Sequence, residues 1–178
     1  CNYRIFALKG QGPEMHLLDN ESGGHGLRPA AFTKAPSAPK ILADHGLPPP
    51  SMDHLDELEA QSIYILREAF ARLKKLALLW SLGKDSNVMI WLARKAFFGR
   101  VPFPALHVDT GKKFPEMYAF RDRFGKEWDL DLKIEPCPPI DAVDPTLPPA
   151  ARSAARKTEG LKWALTKYGF DGLIAGIR

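Results

Sequence analysis

The sequence predicts an α/β fold: an open, mostly parallel, doubly wound sheet with flanking helices. Residues 76–80 (Leu-Ala-Leu-Leu-Trp) form a short apolar run that breaks into Ser81-Leu82-Gly83-Lys84-Asp85-Ser86 and resumes with helical period. A second apolar run, residues 104–108, ends in Asp109-Thr110-Gly111. The helical pattern between the two runs is the crossover that parallel neighbours require.

Length and composition suit one such domain. The chain has 178 residues, 45% of them hydrophobic and 26% charged, which is ordinary for a globular core. Its net charge of +4 comes from 25 Lys and Arg against 21 Asp and Glu, well mixed along the chain, so nucleic-acid binding is not indicated. Cys1 and Cys137 lie far apart with no CxxC or Cys/His cluster, which supports neither a disulfide scaffold nor zinc. No apolar stretch reaches the length of a membrane span and no signal-peptide order opens the chain; a soluble, cytoplasmic protein is expected.

Taken in order, residues 1–51 read as a Pro/Gly-rich extension ahead of a domain spanning 52–178. The first fifty positions hold seven of the 16 prolines and the Ser22-Gly23-Gly24-His25-Gly26 cluster, without a sustained apolar period. A flexible arm is expected, with residues 3–8 as a strand that docks elsewhere being the alternative. His16, His25 and His45 in this segment are read as solvated. From Met52, Leu55, Leu58, Ser62, Ile65, Leu66, Ala69 and Leu73 recur at helical spacing, so a long amphipathic helix precedes the first strand. Asp53 and Asp56 suit its start, and Arg72, Lys74 and Lys75 its end.

The 81–86 loop lies between a strand and a helix start, where backbone N–H groups lack intrahelical partners and the helix dipole adds positive charge. Gly83 allows close backbone approach and Lys84 adds a full charge. The hydroxyls of Ser81 and Ser86 can donate to phosphate oxygens, or Ser86 can cap the helix. The loop reads as a phosphate cradle. It is not a Walker A loop, because Leu78 stands where that motif needs its first Gly and Asp85 follows Lys84.

Beyond the loop, Val88, Met89, Leu92, Ala93, Ala96 and Phe97 describe a helix with Gly99 at its close. His107, inside the second strand, reads as a satisfied core histidine. Ligands of open α/β sheets sit beyond the carboxyl ends of strands, so the 81–86 loop and Asp109, Thr110 and Gly111 should be neighbours. Asp109 at that edge is a candidate to hold Mg²⁺ or a nucleotide hydroxyl, with capping of the next helix as the bland alternative. Phe114, Met117, Tyr118, Phe120, Arg121 and Phe124 describe that helix, and residues 130–134 alternate as a third strand.

Six prolines between 136 and 149 then predict a long loop, with Arg152, Arg156 and Lys157 at its far end as candidates for a second anion site, a cationic, solvated helix start being the equal alternative for Arg152. Cys137, with no helix start or basic neighbour in sequence, reads as inert. A helix from Lys157 to about Tyr168-Gly169 leads to a fourth strand over residues 170–176, and the chain closes at Arg178. An α/β sheet seldom ends on its functional edge, so a C-terminal truncation is expected.

The Ser-x-Gly-Lys-Asp-Ser pattern resembles the PP-loop of ATP pyrophosphatases. Further words extend the likeness: Leu92-Ala93-Arg94-Lys95-Ala96-Phe97, Leu106-His107-Val108-Asp109-Thr110-Gly111, Met117-Tyr118-Ala119-Phe120-Arg121-Asp122-Arg123, Lys157-Thr158-Glu159-Gly160-Leu161 and Lys167-Tyr168-Gly169-Phe170-Asp171. In that order, from about Met52 onward, the chain resembles the small subunit of bacterial two-subunit sulfate adenylyltransferase. Leu82, where other PP-loop enzymes commonly carry Gly, fits the same family.

The resemblance implies an adenine nucleotide alpha hydrolase-like fold and a nucleotidyltransferase of sulfate assimilation, with ATP and sulfate as substrates, Mg²⁺, and a large GTPase subunit as partner. Catalysis is then expected from Lys84, Asp85 and Arg178, and nucleotide contacts from the 81–86 loop with Asp109, Thr110 and Gly111; Arg178 with Arg156 or Lys157 is left to hold sulfate. A relative of phosphoadenylylsulfate reductase and a non-catalytic nucleotide-binding or GTPase-docking module are the alternatives.

Overall fold

The computed structural model describes residues 3–9, 16–17 and 53–176. Strand β1 (Tyr3–Lys9) and the short β2 (His16–Leu17) precede α1 (His54–Arg72), β3 (Leu76–Leu79), α2 (Lys84–Ala96) and β4 (Ala105–Asp109). After these come α3 (Pro115–Glu127), β5 (Leu132–Pro136), a 3-10 turn at Ile140–Ala142, α4 (Pro149–Tyr168) and β6 (Gly172–Gly176). The sheet order is β2-β1-β6-β3-β4-β5. β6, β3, β4 and β5 run parallel, while β1 pairs antiparallel with β6, Ile5 lying opposite Ile174.

Each central strand follows from its composition. A parallel strand covered on both faces must be apolar at every position, and Leu76, Ala77 and Leu78 are all buried. Successive side chains then divide between two layers. Leu76, Leu78, Trp80, Ala105 and Ile174 pack with Leu66 and Ala69 of α1 and with Met89, Ile90 and Ala93 of α2, and Met117, Phe120 and Phe124 of α3 lie against the same cluster. Ala77, Leu106 and Leu173 face Ala164 and Leu165 of α4 on the other side. Full burial of a Leu or Ile stabilises by about 1.5–3 kcal/mol, so this double-sided packing is what holds the carboxyl edge in place.

Three expectations change. The segment read as a flexible arm contributes β1 to the sheet, as the docking alternative proposed; its other residues, apart from β2, lie outside the described set. The helix expected from Lys157 starts at Pro149, a residue well suited to a first helical position because its missing N–H has no partner there in any case. Arg152 therefore lies in the first turn of α4, as the helix-start alternative had it, and Arg156 and Lys157 lie further along the same helix. The third strand is displaced by two residues, and Pro136 closes it on the outer edge of the sheet, where a missing donor is tolerated. Gly169 ends α4 in the left-handed conformation, as its position suggests.

Candidate active site

The chain passes from β3 to β4 and β5 in one direction across the sheet, then returns through α4 to place β6 on the other flank of β3. The order reverses at β3, and the crevice beyond the carboxyl ends at such a point is where open α/β sheets receive ligands. The 81–86 loop stands there. Gly176, at the end of β6, passes so close that a Cβ added to it would lie 3.3 Å from Cβ of Asp85. The position of Arg178, two residues on, falls outside the described set.

Trp80 fixes the entry to the loop. Its backbone N–H donates to the Leu106 carbonyl at 2.8 Å, its indole N–H donates to Asn87 Oδ1 at 2.7 Å, and its carbonyl accepts from the ring of His107 at 2.7 Å. From this anchor the chain turns through Leu82 with φ 66°. That left-handed conformation costs a side-chain-bearing residue roughly 1–2 kcal/mol, and Leu82 offsets it by burying its side chain in the core. The positive φ therefore falls where related loops commonly carry Gly.

Gly83 has an ordinary extended conformation, with φ −77° and ψ 163°, and a Cβ there would meet only Ser81 Oγ at 3.4 Å. The fold itself makes no demand for glycine at this position.

Gly83 is also the N-cap of α2, so the expected cap role of Ser86 is not realised. Ser86 lies in the first turn and donates to the Gly83 carbonyl at 2.9 Å, while Ser81 Oγ donates to Ser86 Oγ at 3.1 Å and accepts from the Gly83 N–H at 3.4 Å. The first intrahelical bond runs from Asn87 N–H to the Gly83 carbonyl at 3.0 Å, so the N–H groups of Lys84, Asp85 and Ser86 precede the helical ladder. Lys84 is exposed at the helix start. Two hydroxyls, three amides and one ammonium at a positive dipole end can surround an anion.

The 109–111 turn begins where the neighbouring strand β4 ends. Asp109 Oδ1 accepts from the Gly111 N–H at 2.9 Å and from the Tyr118 hydroxyl at 3.0 Å. Lys113 Nζ stands 3.9 Å from Oδ1, and Arg121 Nη1 stands 3.9 Å from Oδ2. Burial pushes the carboxyl pKa up, but the Gly111 amide, Tyr118 and Lys113 together hold it below its ordinary value. These contacts do not fit a protein-held Mg²⁺, because two cations already face the carboxylate. Nor does Asp109 cap α3, whose N-cap is Phe114. Among the described residues, no group of three or more His, Cys, Asp or Glu side chains gathers as metal ligands.

His107 is fully buried. A carbonyl can only accept, so Nδ1 carries the hydrogen toward Trp80, and Nε2 accepts from Lys113 Nζ at 3.0 Å. The ring is a satisfied core histidine, as expected. Burial, more than any neighbour, pushes its pKa down and keeps it neutral. Burial likewise lowers the pKa of Lys113.

On α4, Gly160 lies against the ends of β4 and β5; a Cβ there would stand 3.2 Å from Val108 Cγ1 and 3.3 Å from Cys137 Cα. That close approach brings Arg156 and Lys157 toward the same edge, with Arg156 Nε donating to the Pro138 carbonyl at 2.8 Å and Lys157 exposed. Cys137 thus has basic neighbours in space, contrary to its sequence surroundings. Burial still outweighs them and raises the thiol pKa, so the thiol stays protonated and inert.

The residues that sequence reading missed are Lys113, the buried Arg121, and Glu135. Glu135 is buried on β5 and accepts from Lys167 at 2.6 Å and Tyr168 at 2.5 Å. A charged residue four positions beyond a strand-end Asp was the available signal for Lys113.

The model of the phosphoadenosine phosphosulfate reductase domain family matches residues 75–178, which takes in the loop, the 109–111 turn and α4. The chain belongs to this family. Within it, the chain is similar to sulfate adenylyltransferase subunit 2 of Zymomonas mobilis, 53% identical over 131 residues, and to the subunit 2 of Proteus mirabilis, 51% identical over 131 residues. Each comparison takes in 71% of this chain and 43% of the relative, so the chain spans less than half the length of the curated relatives it matches. Among solved structures it is similar to a phosphoadenylyl-sulfate reductase from Candida auris in a phosphate complex. The identity there is 18% and the TM-score 0.50, over 71% of this chain and 68% of that one, a likeness of fold alone. Family membership agrees with the α/β architecture derived above. No helix among the described residues is long and apolar enough to cross a membrane.

Proposed function

We propose that this chain binds ATP through the 81–86 loop and is the nucleotide-binding part of a sulfate adenylyltransferase small subunit. The reaction joins ATP and sulfate to give adenosine 5′-phosphosulfate and pyrophosphate in sulfate assimilation. The observation that carries this reading is the place of the loop, a helix N-terminus bearing Lys84 and two serines at the reversal point of the sheet. The name shared by relatives near half-identity supplies the reaction. A large GTPase subunit as partner and a cytoplasmic location belong to the same reading.

In this mechanism a sulfate oxygen attacks the α-phosphorus in line. A new P–O bond forms to sulfate, and the bond to the bridging oxygen breaks, its electron pair leaving with pyrophosphate. Sulfate is already ionised, so no general base is needed. Catalysis is then positioning and charge neutralisation. Lys84 and the amides of residues 84–86 hold the departing pyrophosphate, and the Ser81 and Ser86 hydroxyls turn from each other to join them. Asp85 lies in the same first turn. Asp109, fixed by Tyr118 and Arg121, shapes the Thr110-Gly111 turn beside the nucleotide and does not serve as a magnesium ligand. Arg156 and Lys157, with Arg178, supply the cations that offset repulsion between sulfate and the α-phosphate.

Replacing Lys84 by Ala tests the cradle. Calorimetric titration should show pyrophosphate and ATP affinity reduced by about 1.5–3 kcal/mol, the scale of a charged hydrogen bond. Unchanged affinity for both would remove the loop from the mechanism.

A further inference from the structure

A line of hydrogen bonds joins the unit of β3, its loop and α2 to the unit of β4, its turn and α3. Asn87 Oδ1, near the start of α2, accepts from the Trp80 indole at 2.7 Å. The Trp80 carbonyl accepts from His107 Nδ1 at 2.7 Å, and His107 Nε2 accepts from Lys113 Nζ at 3.0 Å.

The placement of Lys113 shows what it serves. A lysine set to neutralise Asp109 would close on the carboxylate, yet Nζ stands 3.9 Å from Oδ1 and gives its hydrogen bonds to the His107 ring and, at 3.4 Å, to the Val108 carbonyl. Its side chain is 15% exposed, so the ammonium is held inside the fold. An ammonium can only donate, and a hydrogen on Nε2 would point at it. Lys113 therefore excludes the tautomer that would turn an Nδ1 lone pair toward the Trp80 carbonyl and release it. A peptide unit is planar, so holding that carbonyl also aims the N–H of Ser81, the first residue of the loop. The indole holds the other end of the loop through Asn87, whose own N–H makes the first intrahelical bond of α2.

We propose that Lys113 is a positioning residue for the 81–86 loop: through the His107 ring and Trp80 it sets the amides and hydroxyls that receive an anion, without touching that anion. This rests on the nucleotide reading above and adds to it a coupling between the 109–113 turn and the loop, carried by one neutral ring.

The experiment titrates pyrophosphate calorimetrically into wild type, Lys113→Met, His107→Asn and the double variant, and follows the amide hydrogen exchange of each without ligand. Met keeps the apolar stem of the lysine. Asn puts its Nδ2 donor where the ring has Nδ1, so the bond to Trp80 survives while the link to Lys113 is cut. Each single variant should bind pyrophosphate about tenfold more weakly, the scale of one hydrogen bond to a charged group. The double variant should be no weaker than the weaker single one, because both cut the same link. The Asn87 amide should exchange about tenfold faster in each variant, with α4 unchanged.

If His107→Asn does not fold, Lys113→Met decides alone. Weaker binding with a faster Asn87 amide supports the relay, whereas weaker binding with an unchanged amide gives Lys113 a direct charge role and overturns it. Unchanged affinity in Lys113→Met, or losses that add in the double variant, would also overturn the relay while leaving the proposed cradle intact. Absence of pyrophosphate binding in wild type would overturn the nucleotide reading, and this role with it.

Discussion

His107 donates its Nδ1 hydrogen to the carbonyl of Trp80 at 2.7 Å, so the last residue before the 81–86 loop is held by a side chain of the neighbouring strand. Lys113 closes the arrangement on Nε2 at 3.0 Å. Burial disfavours the charged ring and holds the pKa of His107 down, and the nearby cations Lys113 and Arg121 add to the effect.

The sign of the resulting pH dependence follows. In the unfolded chain His107 titrates near 6.5, and in the folded chain lower, so between the two values the unfolded state binds more protons. Stability from this residue is complete above pH 6.5 and falls below it, by up to about 1.4 kcal/mol per pH unit. Urea denaturation from pH 7 to 5 should show this slope in wild type and lose it in His107→Gln. Asp109 and Glu135, whose carboxyls are held below their ordinary values of 3.8 and 4.5, add a separate loss only at still lower pH. An equal slope in the variant would show that another group titrates.

Leu82 sets two effects against each other. Leu82→Gly relieves the left-handed strain of roughly 1–2 kcal/mol but gives up apolar burial and adds chain entropy, leaving a net destabilisation of about 1 kcal/mol. Leu82→Val retains most of the burial, yet a β-branched side chain is an outlier at φ 66°, and a loss above about 2 kcal/mol is expected. Thermal unfolding should rank wild type, then Gly, then Val. Val matching wild type would mean that the backbone there is not constrained.

Gly160→Ala should destabilise by about 1–3 kcal/mol although alanine is the better helix former, because its Cβ would press on Cys137 Cα at 3.3 Å and on Val108. A gain in stability would place α4 farther from the sheet than described.

The strands were legible where burial on both faces made them continuously apolar, as at β3, and where a polar turn marked their carboxyl ends, as after β4. The start of α4 was hidden because the Pro-rich stretch before it reads as loop and the Ala and Arg residues of its first turns give no apolar period; Pro149 at the first position is a helix signal that looks like a breaker. β1 was weakly legible, since an antiparallel partner at the far end of the sequence leaves no local mark. The strand-to-helix turn at residues 81–86 could be read almost whole, its atoms being contiguous. The setting of Asp109 could not, because Tyr118 and Arg121 reach it from a different element, and the same is true of Glu135 with Lys167 and Tyr168.

Sulfate-dependent exchange of labelled pyrophosphate into ATP, measured on the protein as it occurs in its cell together with the proposed GTPase subunit, tests the central claim most directly. Because the loop is assigned to the departing pyrophosphate and sulfate to the attacking position, exchange should require sulfate and should be lost in Lys84→Ala. Exchange that proceeds equally without sulfate, or that Lys84→Ala leaves intact, would contradict the account.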